Sequence, residues 1–179
     1  MVIFTEIHTT ILDQLVAIVG QDNLSTGDSE RQLHSHDQSF HDAHLPEVVV
    51  WARTAQQVAD ILKLANEHHI PVTPWGAGSS LEGNPIPVHG GILLSLAKMD
   101  AIVEMHADDF QVTVQSGKPY KDLNREIAKY GLFFPPDPGA NATIGGMLAN
   151  NAAGIRTVKY GASKDNVLKM QVALTDGRL

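Results

Sequence analysis

One ten-residue stretch decides how this chain is interpreted, and it runs Pro74-Trp75-Gly76-Ala77-Gly78-Ser79-Ser80-Leu81-Glu82-Gly83. Glycine tolerates positive φ and has no side chain to block an approaching ligand. Consecutive backbone N–H groups in such a loop form a concave site for phosphate oxygens, and neighbouring hydroxyls add donors. This first glycine stretch therefore predicts a diphosphate-binding loop, and a tight surface turn is the alternative.

The residues around the first glycine stretch predict a β-α-β unit. The apolar run 47–51 predicts a strand, and Thr54 and Gln57 after it match a helix capping box. A helix with one apolar face follows, and a second strand at 72–73 leads directly into the glycines. The two strands are expected to be parallel, because a right-handed crossover joins such pairs. A third strand is predicted at 92–96.

The loop does not match the common nucleotide-binding fingerprints. Leu81 occupies the position of the third glycine of a Rossmann motif, and Asn84-Pro85-Ile86-Pro87 forbids a helix directly after the loop. No Gly-Lys-Ser or Gly-Lys-Thr follows, which excludes a Walker loop. A diphosphate bound here must therefore contact loop amides rather than a helix terminus.

Composition narrows the function classes. The net charge of −7 over 179 residues argues against a nucleic-acid partner, which usually requires a basic face. The absence of cysteine excludes disulfides, thiolate catalysis and cysteine-ligated metals. No apolar run is long enough to span a bilayer. A cytoplasmic location fits these features, with membrane association through partners as an extension of it.

The first 45 residues form a lead-in to the β-α-β unit. Helical spacing over 6–19, ended by Gly20, predicts an amphipathic helix, and residues 21–45 are expected to be polar and irregular. That polar segment contains four histidines, His34, His36, His41 and His44. Imidazole suits zinc, so a metal-binding protein is an alternative hypothesis. Polar loops also collect histidines without a role, and no metal site is predicted.

The second half of the chain predicts a separate sheet and helix. Two strands at 101–105 and 111–115, joined by a turn, suit a half-buried antiparallel pair. Pro119 then begins a helix that ends at Gly131.

The second glycine stretch is the most informative part of the sequence, and it runs Phe134-Pro135-Pro136-Asp137-Pro138-Gly139-Ala140-Asn141-Ala142-Thr143-Ile144-Gly145-Gly146-Met147-Leu148-Ala149-Asn150-Asn151-Ala152-Ala153-Gly154. Thr143 is the predicted N-cap of a short helix whose first turn contains Gly145 and Gly146. Each glycine there costs roughly 1 kcal/mol relative to alanine. Such a cost is tolerated where a flat group must touch the backbone, and close packing of two elements is the alternative.

The end of the chain predicts a strand at 167–174 followed by a hairpin turn at Thr175-Asp176-Gly177. Only Arg178 and Leu179 come after the turn. A hairpin with one strand leaves a sheet edge unpaired, which natural domains avoid. We therefore expect a fragment truncated at its C-terminus, and self-association through this unpaired edge.

The two glycine stretches, in this order, resemble the FAD-binding domain of the vanillyl-alcohol oxidase and p-cresol methylhydroxylase type. Within that group they look most like the glycolate oxidase FAD subunit and the cytochrome-linked D-lactate dehydrogenases. The resemblance covers roughly residues 37–179 and implies an α+β fold of two subdomains, with FAD between them. The expected divisions are a lead-in at 1–45, a β-α-β subdomain at 46–100 and an incomplete subdomain with a mixed or antiparallel sheet at 101–179.

The resemblance also implies the cofactor-binding residues. In the first stretch they are Pro74, Trp75, Gly76, Ala77, Gly78, Ser79, Ser80 and Gly83, which would wrap the pyrophosphate. In the second stretch they are Pro138, Gly139, Ala142, Thr143, Gly145, Gly146, Asn150, Ala153 and Gly154, which would line the ribityl and flavin side. Some relatives attach flavin through a histidine in the first loop. Ala77, Ser79 and Ser80 stand there in this sequence, so FAD is expected to bind non-covalently.

By the same resemblance, the parent protein is an FAD-dependent 2-hydroxy acid dehydrogenase or oxidase that acts on D-lactate or glycolate. Its reduced flavin would pass electrons to a cytochrome, a quinone or another subunit. The resemblance places the catalytic residues in a cap domain outside this chain, so none is assigned here. An FAD-binding module without turnover is therefore the alternative for the chain itself.

Overall fold

A computed structural model describes residues 4–179 of the chain, which divides into two compact units. The first unit runs to Lys98 and also includes Gln171–Leu179, and the second is Met99–Met170. Residues 1–3, the start of the predicted lead-in, lie outside the described residues.

The first unit is built around a four-stranded sheet. Its elements are α1 (Thr9–Val19), β1 (Leu24–Ser25), α2 (Asp28–Leu33), β2 (Val48–Trp51), α3 (Ala55–Glu67), β3 (Val72–Trp75) and β4 (Ile92–Ser95). The strand order is β1-β2-β4-β3. Strands β2 and β3 both run parallel to β4, whereas β1 is antiparallel to β2. The predicted β-α-β unit is therefore present, with β4 inserted between its two strands.

Burial explains why the centre of this sheet is apolar throughout. Val48, Val49 and Val50 in β2 are fully buried, as are Ile92 and Leu93 in β4. Parallel strands that are covered on both faces need such continuous apolar runs. The predicted cap of α3 is confirmed, because the N–H of Gln57 donates to Thr54 Oγ1 at 3.2 Å. Gln57 Oε1 in turn accepts from the N–H of Arg53 at 2.8 Å, one residue earlier than in the usual capping box.

The lead-in is more regular than the sequence predicts. Residues 21–45 contain β1, which pairs with Val49 and Val50, and the short helix α2. Helix α1 begins at Thr9 and ends at Val19, and Gly20 follows with φ of 83°. Composition misses β1 because a two-residue strand carries no periodic pattern of its own.

The second unit joins a two-stranded sheet to helices. Its elements are β5 (Ile102–His106), β6 (Gln111–Val114), α4 (Tyr120–Ile127), α5 (Ile144–Ala149) and α6 (Thr157–Tyr160), with short 3-10 turns at Ala107–Asp109, Ala128–Tyr130 and Ser163–Asn166. Strands β5 and β6 are antiparallel, as predicted. The core of this unit consists of buried residues from α4 and α5, namely Tyr120, Leu123, Ile127, Ile144 and Met147. The α+β fold with a β-α-β unit and a separate antiparallel sheet is confirmed.

The predicted strand at 167–174 is wrong. In the described part of the chain these residues pair with no strand, and Leu168 and Met170 are 79% and 63% exposed. An alternating run becomes a strand only where a neighbour completes its hydrogen-bond ladder, and here none does. The turn after it is present, because Gly177 has φ of 84° and its N–H donates to the carbonyl of Leu174 at 2.9 Å. The unpaired sheet edge expected at this end is therefore absent as well.

Candidate functional site

The first glycine stretch begins at the end of β3 and presents a row of free backbone donors. Within residues 4–179, the N–H groups of residues 76–80 donate to no acceptor. Four of these five residues are half-buried, and Ala77 is exposed. Consecutive unpaired N–H groups on a loop are the donors that bind phosphate oxygens without a basic side chain. The loop therefore has the chemistry of an anion-binding site.

Glycine is required at position 78 because of the residue beneath it. Gly78 has φ of +62°, a conformation that L side chains rarely adopt, and a Cβ there would overlap the indole ring of Trp75. Trp75 is only 8% exposed and contacts His34, whose ring centroid lies 5.0 Å away. The loop thus lies directly against a packed aromatic pair, which limits its motion.

The lead-in fixes the far end of the same loop, a feature that sequence reasoning missed. The N–H of Gly83 donates to Asp37 Oδ2 at 2.8 Å, and the N–H of Gln38 donates to the carbonyl of Ser80 at 3.0 Å. Gly83 has φ of +75°, and a Cβ there would lie 2.6 Å from His41 Cδ2. No pattern in the sequence indicates that Asp37 and Gln38 contact residues that lie more than 40 positions later in the chain.

Asp37 is ionised at neutral pH despite its burial. Burial by itself would raise the pKa of this carboxyl, but hydrogen bonds from Ser39, Gly83 and Ser80 together outweigh it and lower the pKa below its ordinary value. The N–H of Ser39 donates to the Oδ1 atom at 2.9 Å. Both carboxylate oxygens are therefore occupied by backbone donors.

The four lead-in histidines do not form a ligand set. His34 is buried, and its Nδ1 donates to the carbonyl of Glu30 at 2.8 Å, whereas His36, His41 and His44 are exposed. Across residues 4–179, no three histidine, aspartate or glutamate side chains gather as metal ligands. His34 packs in the core and His41 packs against the loop, so neither needs a metal to explain it.

The second glycine stretch is fixed by a helix cap and by backbone packing. The predicted cap is present, because the N–H of Gly146 donates to Thr143 Oγ1 at 3.3 Å. The N–H of Gly145 donates to the carbonyl of Ser116 at 2.7 Å, and a Cβ on Gly145 would lie 2.8 Å from Ser116 Cβ. A Cβ on Gly154 would overlap the carbonyl of Asp137. Close packing therefore accounts for glycine at 145 and 154, whatever ligand they face.

A cleft of about 660 Å³ opens beside this stretch. Its walls are Tyr120, Lys121, Asn124, Asp137, Pro138, Gly139, Ala153, Gly154, Ile155 and Arg156. Of the residues expected to bind cofactor in this stretch, the cleft brings together Pro138, Gly139, Ala153 and Gly154. The others, Ala142, Thr143, Gly145, Gly146 and Asn150, lie outside its lining.

A buried tyrosine and an acid anchor the cleft wall. The hydroxyl of Tyr120 donates to Asp137 Oδ1 at 2.6 Å. Burial, followed by this contact with Asp137, raises the pKa of Tyr120 to about 12. The same hydrogen bond, aided by the charges of Arg156 and Lys121, lowers the pKa of Asp137. Lys121 Nζ also donates to the carbonyl of Gly139 at 2.6 Å, so the turn at 137–139 is fixed from two sides.

These residues fit a flavin dinucleotide. The unpaired N–H groups at 76–80 match a diphosphate, whose oxygens need short-range donors more than net positive charge. Taken by itself, the cleft in the second unit has the cations Lys121 and Arg156 and the small apolar surfaces of Pro138, Ala153 and Ile155 in its walls. None of these contacts requires a covalent link to a side chain.

Comparison with known proteins agrees with this chemistry. A family model described as "FAD binding domain" matches residues 46–179. The chain belongs to this FAD-binding domain family. The whole lead-in, including Asp37 and Gln38, lies before the matched region.

Several curated proteins are similar to nearly all of this FAD-binding chain. A probable mitochondrial D-lactate dehydrogenase from Danio rerio is 37% identical over 94% of this chain, which spans 34% of that protein. A mitochondrial cytochrome-type D-lactate dehydrogenase from Arabidopsis thaliana is 38% identical over 97% of this chain, which spans 31% of it. The glycolate oxidase subunit GlcD of Bacillus subtilis is 32% identical over 93% of this chain and 36% of its own length. The chain thus spans about a third of these relatives.

Solved structures share the fold. An alkyldihydroxyacetonephosphate synthase superposes with a TM-score of 0.82 and 22% identity, over 92% of this chain and 36% of that chain. A substrate-bound p-cresol methylhydroxylase superposes with a TM-score of 0.70 and 23% identity, over 86% of this chain and 32% of that chain. These likenesses bear out the fold expected from the two glycine stretches. Among the described residues, no helix has the length and apolar character needed to cross a bilayer.

Proposed function

We propose that this chain is the FAD-binding part of a flavin-dependent dehydrogenase or oxidase of 2-hydroxy acids, with D-lactate and glycolate as candidate substrates. The observation that carries the proposal is the row of unpaired N–H groups at residues 76–80, in a chain that belongs to the FAD-binding domain family. The substrate class is suggested by the relatives, which are D-lactate dehydrogenases and a glycolate oxidase subunit.

Each glycine stretch has a distinct part in this proposal. Residues 76–80 bind the diphosphate through backbone donors, and the hydroxyl of Ser79 adds to that set. The hydroxyl of Ser80 instead donates to Asn84 Oδ1 at 2.8 Å within the loop. In the second stretch, Pro138, Gly139, Ala153 and Gly154 provide a wall without bulky side chains. The remaining expected residues, from Ala142 to Asn150, lie around the capped helix α5 and are proposed to continue that wall.

The chain's share of the reaction is binding and orientation. When bound, FAD supplies the hydride acceptor for oxidation of a 2-hydroxy acid to a 2-oxo acid. The amides at 76–80 and the cleft residues fix where the cofactor lies, and no described residue is assigned to take the proton of the substrate hydroxyl. The catalytic groups are proposed to lie in the part of the parent protein that this chain does not span.

A second candidate is an FAD-binding module without turnover. The observation that favours it is length, since the chain spans about a third of the curated relatives it matches. The two candidates share the cofactor site and differ only in whether substrate reduces the bound flavin.

The test is a titration of the purified 179-residue chain with FAD, in which quenching of FAD fluorescence measures binding. Ser79→Asp places a carboxylate beside the donor row and is expected to weaken FAD binding by at least roughly tenfold, because like charges repel at short range. Ser79→Asn is the uncharged control with the size of aspartate, and its side-chain amide keeps a donor at this position, so its affinity is expected to stay within about threefold of wild type. Equal affinities for the two variants contradict diphosphate binding at this loop.

A second measurement separates the dehydrogenase from the module. D-lactate, glycolate and, for comparison, L-lactate are added anaerobically to the FAD-loaded chain, and flavin absorbance is recorded. Bleaching by a 2-hydroxy acid supports turnover by the chain itself. Unchanged absorbance with intact FAD binding supports the module.

Partners and location remain predictions. Electrons are proposed to leave for a cytochrome, a quinone or another subunit, in line with the cytochrome-type relative. A cytoplasmic location is likewise proposed, although two relatives are named as mitochondrial. The sequence predicts self-association through an unpaired sheet edge near residues 167–179, but no strand forms at these residues. A constant monomer mass is therefore expected in sedimentation at rising protein concentration.

A further inference from the structure

The lead-in contacts the first glycine stretch from outside the region that the family model matches. Asp37 and Gln38 precede residue 46, yet they bond to Gly83 and Ser80. We propose that Asp37 is a positioning residue, which fixes the loop at 76–80 in the conformation that binds a diphosphate. This inference rests on the proposed function, because it concerns the same loop and the same ligand.

The two ends of the donor row are fixed by different elements. At its start, the carbonyl of Trp75 accepts from the N–H of Leu96 at 3.0 Å, which ties the end of β3 to β4. At its end, the carbonyl of Ser80 accepts from Gln38, and the N–H of Gly83 donates to Asp37. Within residues 4–179, the backbone groups of residues 76–79 form no hydrogen bonds. A loop fixed at both ends loses less conformational entropy when a ligand binds.

Because Asp37 is negatively charged, the direction in which its removal changes anion affinity tests the positioning role. Asp37 is only 5% exposed, and its lowered pKa keeps it ionised at neutral pH. Its two oxygens accept from the N–H groups of Ser39 and Gly83, and neither accepts from residues 76–79. If Asp37 acted only through its field, removing its charge would strengthen the binding of an anion. If it positions the loop, removing its charge weakens that binding.

Asp37→Asn separates these outcomes, because it keeps the side-chain size and replaces one acceptor with a donor that faces an N–H group. Charge-assisted hydrogen bonds of this kind are strong enough that we expect FAD and ADP affinity to fall by roughly tenfold to a hundredfold. Asp42→Asn is the matched control, since Asp42 is an exposed acid in the same segment. It is expected to stay within about threefold of wild type.

The experiment measures FAD, ADP and riboflavin binding to the full 179-residue chain by calorimetry. Riboflavin lacks the diphosphate, so Asp37→Asn is expected to spare its affinity, and a general loss of folding would not. Equal or tighter ADP binding by Asp37→Asn overturns the positioning role alone. A wild-type chain that binds neither FAD nor ADP overturns the proposed function and this role with it.

If Asp37→Asn does not fold, a second variant tests whether the lead-in fixes the loop. Gln38→Pro removes the N–H that donates to the carbonyl of Ser80 and leaves the carboxylate in place. Selective loss of ADP affinity, with riboflavin binding retained, supports fixation of the loop by the lead-in. Unchanged ADP affinity overturns it.

Discussion

Each of the two glycine stretches is fixed by a hydrogen bond to an aspartate, but the two aspartates lie in different places relative to their stretch. In the first, Asp37 lies 46 residues before Gly83 and accepts a hydrogen bond from its N–H group. In the second, Asp137 belongs to the stretch itself. It accepts a hydrogen bond from the hydroxyl of Tyr120, which lies 17 residues earlier, at the start of α4. The aspartate that fixes the first stretch lies outside it, whereas the aspartate of the second stretch lies within it and is held by a helix residue.

This difference separates ligand contact from packing. The first stretch leaves the amides of residues 76–80 unpaired, and two of its glycines are explained by positive φ. In the second stretch the amides of Gly145 and Gly146 donate to Ser116 and Thr143, and two of its glycines are explained by close packing. Glycine richness therefore accompanies unpaired backbone amides in one place and close backbone packing in the other.

The largest expected effect breaks the packing of the second stretch. Gly154→Ala places a Cβ into the carbonyl of Asp137, so the backbone must shift, and overpacking of this kind costs about 3 kcal/mol. Urea unfolding measures the loss. Gly139→Ala is the control, because nothing lies within 4 Å of its Cβ and only its positive φ is strained, for about 1 kcal/mol. Equal losses for the two variants contradict the packing explanation.

A smaller effect is expected in the first stretch. Gly78→Ala combines strain at φ of +62° with contact to the Trp75 ring, a side chain that can move, so we expect a loss of about 2 kcal/mol. Trp75 fluorescence should shift in the same variant because the ring is displaced. An unchanged emission spectrum together with unchanged stability contradicts the contact.

Tyr120→Phe tests the internal support of the second stretch and carries a pH signature. Loss of the hydroxyl is expected to cost about 1.5 kcal/mol at neutral pH. Because folding raises the pKa of Tyr120 from its ordinary 10.0 to about 12, its contribution is complete below pH 10 and is lost as the pH rises through about 12. Unfolding followed from pH 8 to 12 should show this alkaline loss in wild type and less of it in the variant. Parallel curves contradict the pKa shift.

The smallest effect compares the two threonine caps. Thr54→Ala and Thr143→Ala each remove an N-cap oxygen and are expected to cost about 1 kcal/mol of unfolding free energy. Thr143 is 5% exposed, so loss of its methyl packing adds to its cost. Serine at either position retains the cap and should recover most of the loss. A Thr143→Ala variant as stable as wild type means that α5 does not depend on its cap.

The features that sequence predicts well here are local. Thr54 and Thr143 cap helices because a hydroxyl and an amide a few residues on need no other partner. The antiparallel pair β5 and β6 is joined by a short turn, so its register follows from nearby residues. The absence of internal partners for the amides of residues 76–80 is also local, since glycine leaves backbone groups accessible, and anion binding by them stays a prediction.

The features that sequence misses depend on distant partners. Nothing in the run around Asp37 indicates Gly83 as its partner, and Tyr120 carries no sign that its hydroxyl meets Asp137. Residues 167–174 fail for the complementary reason, because their alternating pattern predicts a strand whether or not a neighbour exists. Histidine spacing misleads in the lead-in, since His34 is placed by Trp51 and Trp75 rather than by a ligand.

The two-residue strand β1 has a practical consequence for anyone who produces this domain. Leu24 and Ser25 pair with Val50 and Val49 and so cover one side of β2. A recombinant protein trimmed to the family match would start at residue 46 and expose that side of a valine-rich strand. Exposed edges of this kind recruit other chains. Precipitation of such a trimmed protein would result from the exposed edge of β2, and it would not indicate weak flavin binding.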